Sequence, residues 1–425
     1  PMHSNTKIIC TIGSAVRSKE MIKGLVEKGM NIARINMSHE DHPMHSYTID
    51  LIRETAKEMN TIIPIGLDTK GPELRISNLT DGVEIKEGDE IIISNKSLKY
   101  DKCFVIPLNN LLEIPLEKEI FVDDGCLKLK VTGKENDYLV TKALNNHLVT
   151  PRKKINIPGF SLDMKFLSDI DKSDILLGLQ KKVEIIFASF VSKSEDLLEL
   201  KSFIKDNCDY SPLLISKLES VEGMTNLDVI IDLSDGIMIA RGDLAVEIGH
   251  VETFSAQRSI TQKVKERGKI LICATQMLES MIISPVPTRA EISDIGNAVL
   301  SGVDCVMLSA ESAKGKYPLE SVDFMHKACI NAENIARSKS SNEALKFVLM
   351  HYQPEIVHLK TESLTDLNNL LQFNILCPIF VECKDELLKA QVLLRKNCFI
   401  NSYNAKKVLF LENINGSWAL NYSRD

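Results

Sequence analysis

Two familiar nucleotide signatures are missing from this sequence. It contains no GxxxxGK[ST] stretch, and no GxGxxG follows a strand-like run. Any nucleotide it handles is therefore not held on a P-loop or in a Rossmann crevice. There is no CxxC pair, and the ten cysteines are scattered from Cys10 to Cys398 without a His/Cys cluster, which argues against a zinc site. Several, such as Cys10, Cys273 and Cys305, sit inside apolar runs and read as buried free thiols of a reducing compartment. No uninterrupted apolar stretch is long enough to span a membrane. Pro1–Lys7 has no apolar signal core, so no membrane partner is expected and the expected location is cytoplasmic. Basic residues are not in surplus: 51 Lys and Arg stand against 58 Asp and Glu, a net charge of -7. A nucleic-acid partner would favour a basic stripe. Small anionic substrates stay open, because a site can be locally basic in an acidic protein.

What is present is an ordinary globular balance, 44% hydrophobic and 26% charged over 425 residues, enough for two to three domains. Short apolar runs alternate with segments of helical period. The runs are Ile8–Ile12, Asn31–Met37, Ile63–Leu67, Val183–Val191, Leu213–Leu218, Gly236–Ala240, Ile270–Ala274 and Cys305–Leu308. Continuous apolar runs suit strands buried on both faces, and eight strand–helix units predict a parallel (β/α)8 TIM barrel of the α/β class. After Asp68-Thr69-Lys70-Gly71-Pro72 the pattern changes until Pro158-Gly159. In between, alternating segments are punctuated by Asp81-Gly82, Glu87-Gly88 and Asp124-Gly125, the marks of a small β-rich domain. An insertion at a barrel mouth is well placed to act as a lid, with Gly71-Pro72 and Pro158-Gly159 as hinges. A helix is expected over Pro318–Arg337, then a polar linker, Ser338–Asn342. The last stretch, with strands at Ile356–Leu359, Ile379–Val381 and Val408–Leu411, reads as a reduced C-terminal α/β domain. The expected domains are 1–71 with 159–337 (barrel), 72–158 (lid) and 338–425.

Barrel active sites lie at the carboxyl ends of the strands, and here those ends are polar. Period two puts Arg34, Asn36 and Ser38 on one face of the second strand. The third ends in Asp68-Thr69, the fifth in Lys217-Leu218-Glu219, the sixth in Arg241-Gly242-Asp243, the seventh in Thr275-Gln276 and the eighth in Ser309. Glu219 and Asp243 are hard oxygen donors suited to Mg²⁺ or Mn²⁺. Lys217 and Arg34 would be costly to bury unpaired and make sense around a phosphorylated acid. Asn36, Ser38, Asp68 and Thr69 could hold a monovalent cation. Gly242 would let backbone N–H groups approach a carboxylate, helped by a helix starting after Asp243. Singly, an Arg/Asp pair at a strand end reads more simply as an ion pair, and Asn36 with Ser38 as loop caps. Complementary charges on five strand ends are harder to explain without a shared ligand. His42 and His45 are expected on a solvated helix face.

These segments resemble pyruvate kinases. Lys7-Ile8-Ile9-Cys10-Thr11-Ile12-Gly13 opens as that family does. Gly29 through His39, Leu67 through Arg75, and Ile215-Ser216-Lys217-Leu218-Glu219 match its second, third and fifth strands. Asp235 through Leu244 matches the sixth and is the most distinctive. Cys273 through Met281, with Pro287-Thr288-Arg289-Ala290-Glu291, matches the seventh. The resemblance runs from about Thr6 to Ala328, weakly over the lid. It implies transfer of the phosphoryl group of phosphoenolpyruvate to ADP, giving pyruvate and ATP in glycolysis. By position, Glu219 and Asp243 would hold Mg²⁺ (or Mn²⁺), and Lys217 would neutralise the transferring phosphoryl and the enolate oxygen. Arg34 would contact the phosphoryl group. Thr275, with the amides of Gly242 and Asp243, would seat the substrate carboxylate, and Thr275 lies on the side from which the enolate is protonated. Asn36, Ser38, Asp68 and Thr69 would bind K⁺, with Glu73 marking K⁺ dependence. Arg75, His39 and Lys153 would meet the nucleotide or its metal phosphates, and Asp124 would close over the site. A homotetramer or homodimer is implied.

Some positions depart from the family. Ser14 stands for proline, Glu40 for glycine, and Lys154 for the glycine of the lid-return motif, while Ala310 and Ser312 break a Ser-Gly-Glu-Thr run. These bear on nucleotide affinity and specificity. The stretch Lys360-Thr361-Glu362-Ser363-Leu364-Thr365-Asp366 replaces a phosphate-binding loop and carries two carboxylates, so no activation by fructose 1,6-bisphosphate is expected. A lyase or aldolase on the same fold would need neither Lys217 nor the K⁺ set. A catalytically silent scaffold would tolerate loss of Lys217, Glu219, Asp243 or Thr275, and all four are present.

Overall fold

All eight apolar runs form strands in the computed structural model, which describes residues 4–337, 354–371, 375, 377–400, 407–414 and 417–424. The linker Ser338–Asn342 lies outside the described residues. The strands are Lys7–Thr11, Ile32–Asn36, Ile65–Asp68, Ile185–Ala188, Leu213–Leu218, Gly236–Ala240, Ile270–Ala274 and Cys305–Leu308. Each pairs in parallel with its neighbours, and the first bonds to both the second and the eighth, closing the barrel. Both faces are buried, which explains the unbroken apolar runs. Ile8, Cys10, Ala33, Ile35 and Leu214 face the outer helices. Ile9, Ile32, Ile185, Phe187, Leu213, Ile215 and Met238 fill the interior. Gly66 belongs to that inner ring: a Cβ there would stand 2.2 Å from the Phe187 ring. The ring leaves no room for even a methyl group.

The outer helices begin where the sequence supplies caps. Ser18 accepts a hydrogen bond from the Met21 amide, and Thr288 forms a capping box with Glu291. The helix Pro318–Arg337 has the bounds read from the sequence. The helix His42–Glu58 corrects an expectation. Its first turn packs against the helix Asp169–Gln180, so His45 is 4% exposed and the His42 ring nitrogen lies 2.6 Å from Asp174. His45 is therefore off the solvated face, while the His42 side chain stays 40% exposed.

Between barrel strands three and four the chain builds a β-rich insert from Leu74 to Asn156. Seven strands form one sheet and two more a separate ladder. Leu127–Lys134 begins with buried Leu127, Leu129 and Val131 alternating with solvent-facing lysines, and the insert has its own core around Phe104, Ile91 and Ile120. Gly71 and Gly159, at its two ends, have φ of 69° and 68°, conformations that favour glycine.

The C-terminal region is a five-stranded sheet. Its central strand, Ile356–Lys360, lies between Ile379–Glu382 and Lys407–Ile414. The short Cys398–Phe399 and the antiparallel Ser417–Arg424 lie at the edges. The segment Leu394–Cys398 seals the amino-terminal end of the barrel. Leu394 enters the interior cluster with Ile9, Ile32 and Ile270, and its carbonyl accepts from the Cys305 thiol at 3.1 Å. Arg395 donates to the Gly268 carbonyl and Lys396 to that of Val299. Lys7 reaches the Cys398 carbonyl at 2.6 Å, with its ammonium 4.1 Å from the Phe399 ring centre.

Lys7 is 1% exposed, and burial lowers its pKa from 10.5 to about 8. A lysine depressed on folding binds fewer protons when native than when unfolded between those two values. Its contribution to stability therefore rises with pH across that window. The stability of wild type relative to Lys7→Met should grow by about 3 kcal/mol between pH 8 and 10.5. Denaturant titrations at both ends of the window measure it; a constant difference would contradict the assignment.

Candidate active site

The parity that buries Ile9, Ile32, Phe187 and Ile215 continues upward into polar residues. Two residues above Ile32 stands Arg34; above Gly66, Asp68; above Phe187, Ser189; above Ile215, Lys217 and then Glu219. The inward face of the barrel thus changes from hydrocarbon to charge within one or two pleats, at the carboxyl ends.

Asp68 is the hub, 1% exposed. One carboxylate oxygen lies 2.6 Å from Arg34 Nε and the other 3.0 Å from Lys217 Nζ. Arg34 also donates to the Thr11 hydroxyl at 2.8 Å. Lys217 Nζ lies 3.2 Å from Glu219 and donates to the Ser189 hydroxyl at 2.8 Å. Burial opposes the Lys217 charge, but Asp68 and then Glu219 outweigh it and raise its pKa. Burial likewise opposes the Asp68 carboxylate, and Arg34 and Lys217 outweigh it in turn. Lys217 is therefore charged at neutral pH, and it stands with Arg34 at the barrel mouth.

Glu219 is 1% exposed and accepts from the Phe190 amide at 2.7 Å. Burial pushes its pKa up to about 7; Lys217 opposes this and Asp243 adds to it. Neighbouring buried carboxylates gain from a cation between them. That donor set fits a hard divalent ion completed by substrate oxygens and water. Among the described residues no three His, Cys, Asp or Glu converge to hold a metal ion.

Asp243 lies in the first turn of Arg241–Ile248; the helix starts before Asp243, not after it. The Gly242 amide donates to the Thr275 hydroxyl at 2.7 Å. Thr275 has φ 66° and Gln276 φ 54°, a strained pair just past the seventh strand. Arg241 holds that turn by donating to the Thr275 carbonyl at 2.8 Å while paired to Asp294 at 2.6 Å. Asn36 stands beside Asp68 in register and accepts from the Ser38 amide at 3.2 Å. The Thr69 hydroxyl accepts from the Ser189 amide at 3.0 Å.

On the insert side, Arg75 bonds Glu73 at 2.8 Å and the Arg152 carbonyl at 3.0 Å, and Lys153 pairs with Asp123 at 2.8 Å. Burial and then Lys314, Arg75 and Arg34 lower the pKa of His39, which marks a basic neighbourhood. The Asp124 pKa is raised by desolvation and by the nearby Asp243. A cleft of about 630 Å³ between insert and barrel is lined in part by Glu73, Lys154, Phe190 and Glu219.

Two participants escaped the list of candidate site residues. Ser189 links Lys217 to Asp68 and also bonds the Thr69 carbonyl at 2.6 Å; the parity of Ile185, Phe187, Ser189 would have found it. Lys154, noted only as a departure from a motif, reaches from the insert to Asp243. No periodicity in the sequence signals that contact.

The geometry agrees with what the chain is similar to. A family model described as the barrel domain of pyruvate kinase matches residues 3–322. "Pyruvate kinase 2" of Trypanosoma brucei brucei is 43% identical over 340 residues, 78% of this chain and 68% of that protein. The pyruvate kinase of Encephalitozoon cuniculi is 44% identical over 329 residues, 77% and 76% of the two chains. That of Sporosarcina psychrophila is 36% identical over 410 residues, 92% and 70%. With a match over most of its length and a polar barrel mouth of this kind, the chain belongs to the pyruvate kinase family, a family of phosphotransferases.

Proposed function

We propose that this chain transfers the phosphoryl group of phosphoenolpyruvate to ADP, forming pyruvate and ATP in glycolysis. The observation that carries the reading is the buried Lys217 ammonium between Asp68 and Glu219, with Arg34 on the other side of Asp68. Phosphoryl transfer asks mainly for positioning and charge neutralisation. Arg34 and Lys217 supply two fixed cations where phosphoryl and enolate charge develops. The Thr275 hydroxyl and the amides of Gly242 and Asp243 orient the substrate carboxylate, which requires Thr275 to release the Gly242 amide.

Glu219 and Asp243 would hold Mg²⁺ or Mn²⁺, which would add positive charge at the transferring oxygens. Asn36, Ser38, Asp68 and Thr69 would hold K⁺. His39, Arg75 and Lys153 would meet the nucleotide phosphates. The insert, residues 72–158, would act as a lid on the barrel of 1–71 and 159–337 and exclude water, which could otherwise intercept the phosphoryl group. Residues 338–425 would form a reduced third domain in a cytoplasmic homodimer or homotetramer. No helix among the described residues is long and apolar enough to cross a membrane.

The test is a coupled assay of pyruvate release from phosphoenolpyruvate and ADP. Turnover should require Mg²⁺ or Mn²⁺ and should fall when K⁺ is replaced by tetramethylammonium. Fructose 1,6-bisphosphate should leave the rate unchanged. Glu362 accepts from the Lys384 amide at 3.1 Å and Asp366 from the Thr361 hydroxyl at 2.9 Å, so carboxylates already use donors that a phosphate would need. No turnover from the folded chain with any metal or nucleotide would instead favour a silent scaffold.

A further inference from the structure

Lys154 lies on the strand Lys154–Asn156, where the insert returns to the barrel, and is 7% exposed. Its ammonium meets four groups. It is hydrogen-bonded to the Asp243 carboxylate, lies 3.4 Å from Glu73, sits 4.3 Å from the centre of the Phe190 ring, and feels the charge of Glu219. Two carboxylates and an aromatic face make a fitted cage for a cation. The strand holding it is pinned on both sides: Lys154 pairs in register with Arg75, and its carbonyl accepts from the Asp123 amide at 3.0 Å.

Here the positive charge on Asp243 belongs to the protein. We infer that Lys154 is a tethered competitor for the divalent-cation site, its ammonium holding Asp243 until the metal displaces it. The inference rests on the reading of Glu219 and Asp243 as the metal carboxylates. A covalently attached competitor needs no entry from solution and stays at high effective concentration. Because Lys154 belongs to the insert, metal entry also breaks one of the contacts that tie insert to barrel. The pair thus sets how tightly the site takes up metal and links that uptake to the position of the insert.

The test is Mn²⁺ binding to the full chain without substrates, read from the electron paramagnetic resonance signal of free Mn²⁺. Lys154→Met and Lys154→Gln remove the charge, one with an apolar end and one with a polar end. Both should bind Mn²⁺ roughly ten- to hundredfold more tightly than wild type, the range set by one hydrogen bond to a charged group. Lys154→Arg keeps the charge and should bind as wild type does. Glu219→Gln checks the underlying reading and should weaken Mn²⁺ binding by at least about tenfold. If Glu219→Gln leaves the affinity unchanged, the metal assignment itself fails. If it weakens binding while the two neutral variants at Lys154 stay within twofold of wild type or bind less tightly, the competitor is overturned and the metal site stands. Tightening by Lys154→Arg equal to that of Lys154→Met would also overturn it, since the effect would then follow shape and not charge.

Discussion

Replacing Lys217 by methionine should lower turnover by about 10³-fold, the scale on which a positioned group that stabilises developing negative charge is lost. Lys217 is 8% exposed, between Asp68 at 3.0 Å and Glu219 at 3.2 Å. Methionine fills the space of the stem but supplies no charge. The substitution has a second effect, because Glu219 is left without its nearest cation. Breaking one side of a buried ion pair costs about 3 kcal/mol or more. The chain should therefore lose stability along with activity, and the two losses must be separated. Turnover is to be measured well below the melting transition, with circular dichroism confirming the fold. A folded variant that keeps more than a tenth of wild-type turnover would remove Lys217 from the chemistry and leave it a structural ion-pair partner. Arg34 remains on Asp68 in the variant, so weakened phosphoenolpyruvate binding should accompany the loss without accounting for it.

Leu394→Ala should destabilise the protein by about 2–5 kcal/mol, the cost of truncating a leucine in a packed core. Leu394 is fully buried, inside the barrel and not in the C-terminal sheet's own core. It closes the end of the barrel opposite to Lys217, and the bonds of Arg395, Lys396 and Asn397 to Gly268, Val299 and Asn5 hold it there. The family model ends at residue 322, yet this contact from beyond it completes the core of the matched region. Urea unfolding monitored by circular dichroism gives the number. The Michaelis constant for phosphoenolpyruvate should stay near wild type, since the substitution is remote from the mouth. A loss below about 1 kcal/mol would mean that the floor is sealed by other residues.

The chain by itself fixed the eight barrel strands, because a strand buried on both faces needs an unbroken apolar run and each run here has one. Period two also put Arg34, Asn36 and Ser38 on one face of the second strand, and the polar strand ends marked Asp68, Lys217 and Glu219; that these share one inward face is seen only in the closed barrel. The insert was legible from its alternation and its Asp-Gly and Glu-Gly turns, and the C-terminal strands at Ile356, Ile379 and Val408 from their apolar runs.

What the tertiary structure decided are contacts between residues far apart in the chain, for which no local pattern exists. The burial of His45 depends on the helix packed against it, not on its own helix. The seal made by Leu394 joins residue 394 to residues 9, 32 and 270. The bond from Lys154 to Asp243 spans the insert and the barrel. In the sequence, Lys154 is only one of two adjacent lysines on the insert's return to the barrel; its charge has a purpose once folding places a carboxylate, a second carboxylate and an aromatic ring around it. Periodicity follows from the local geometry of the backbone, so a sequence displays it. A partner across the fold follows from closure of the whole chain, so only the structure can name it.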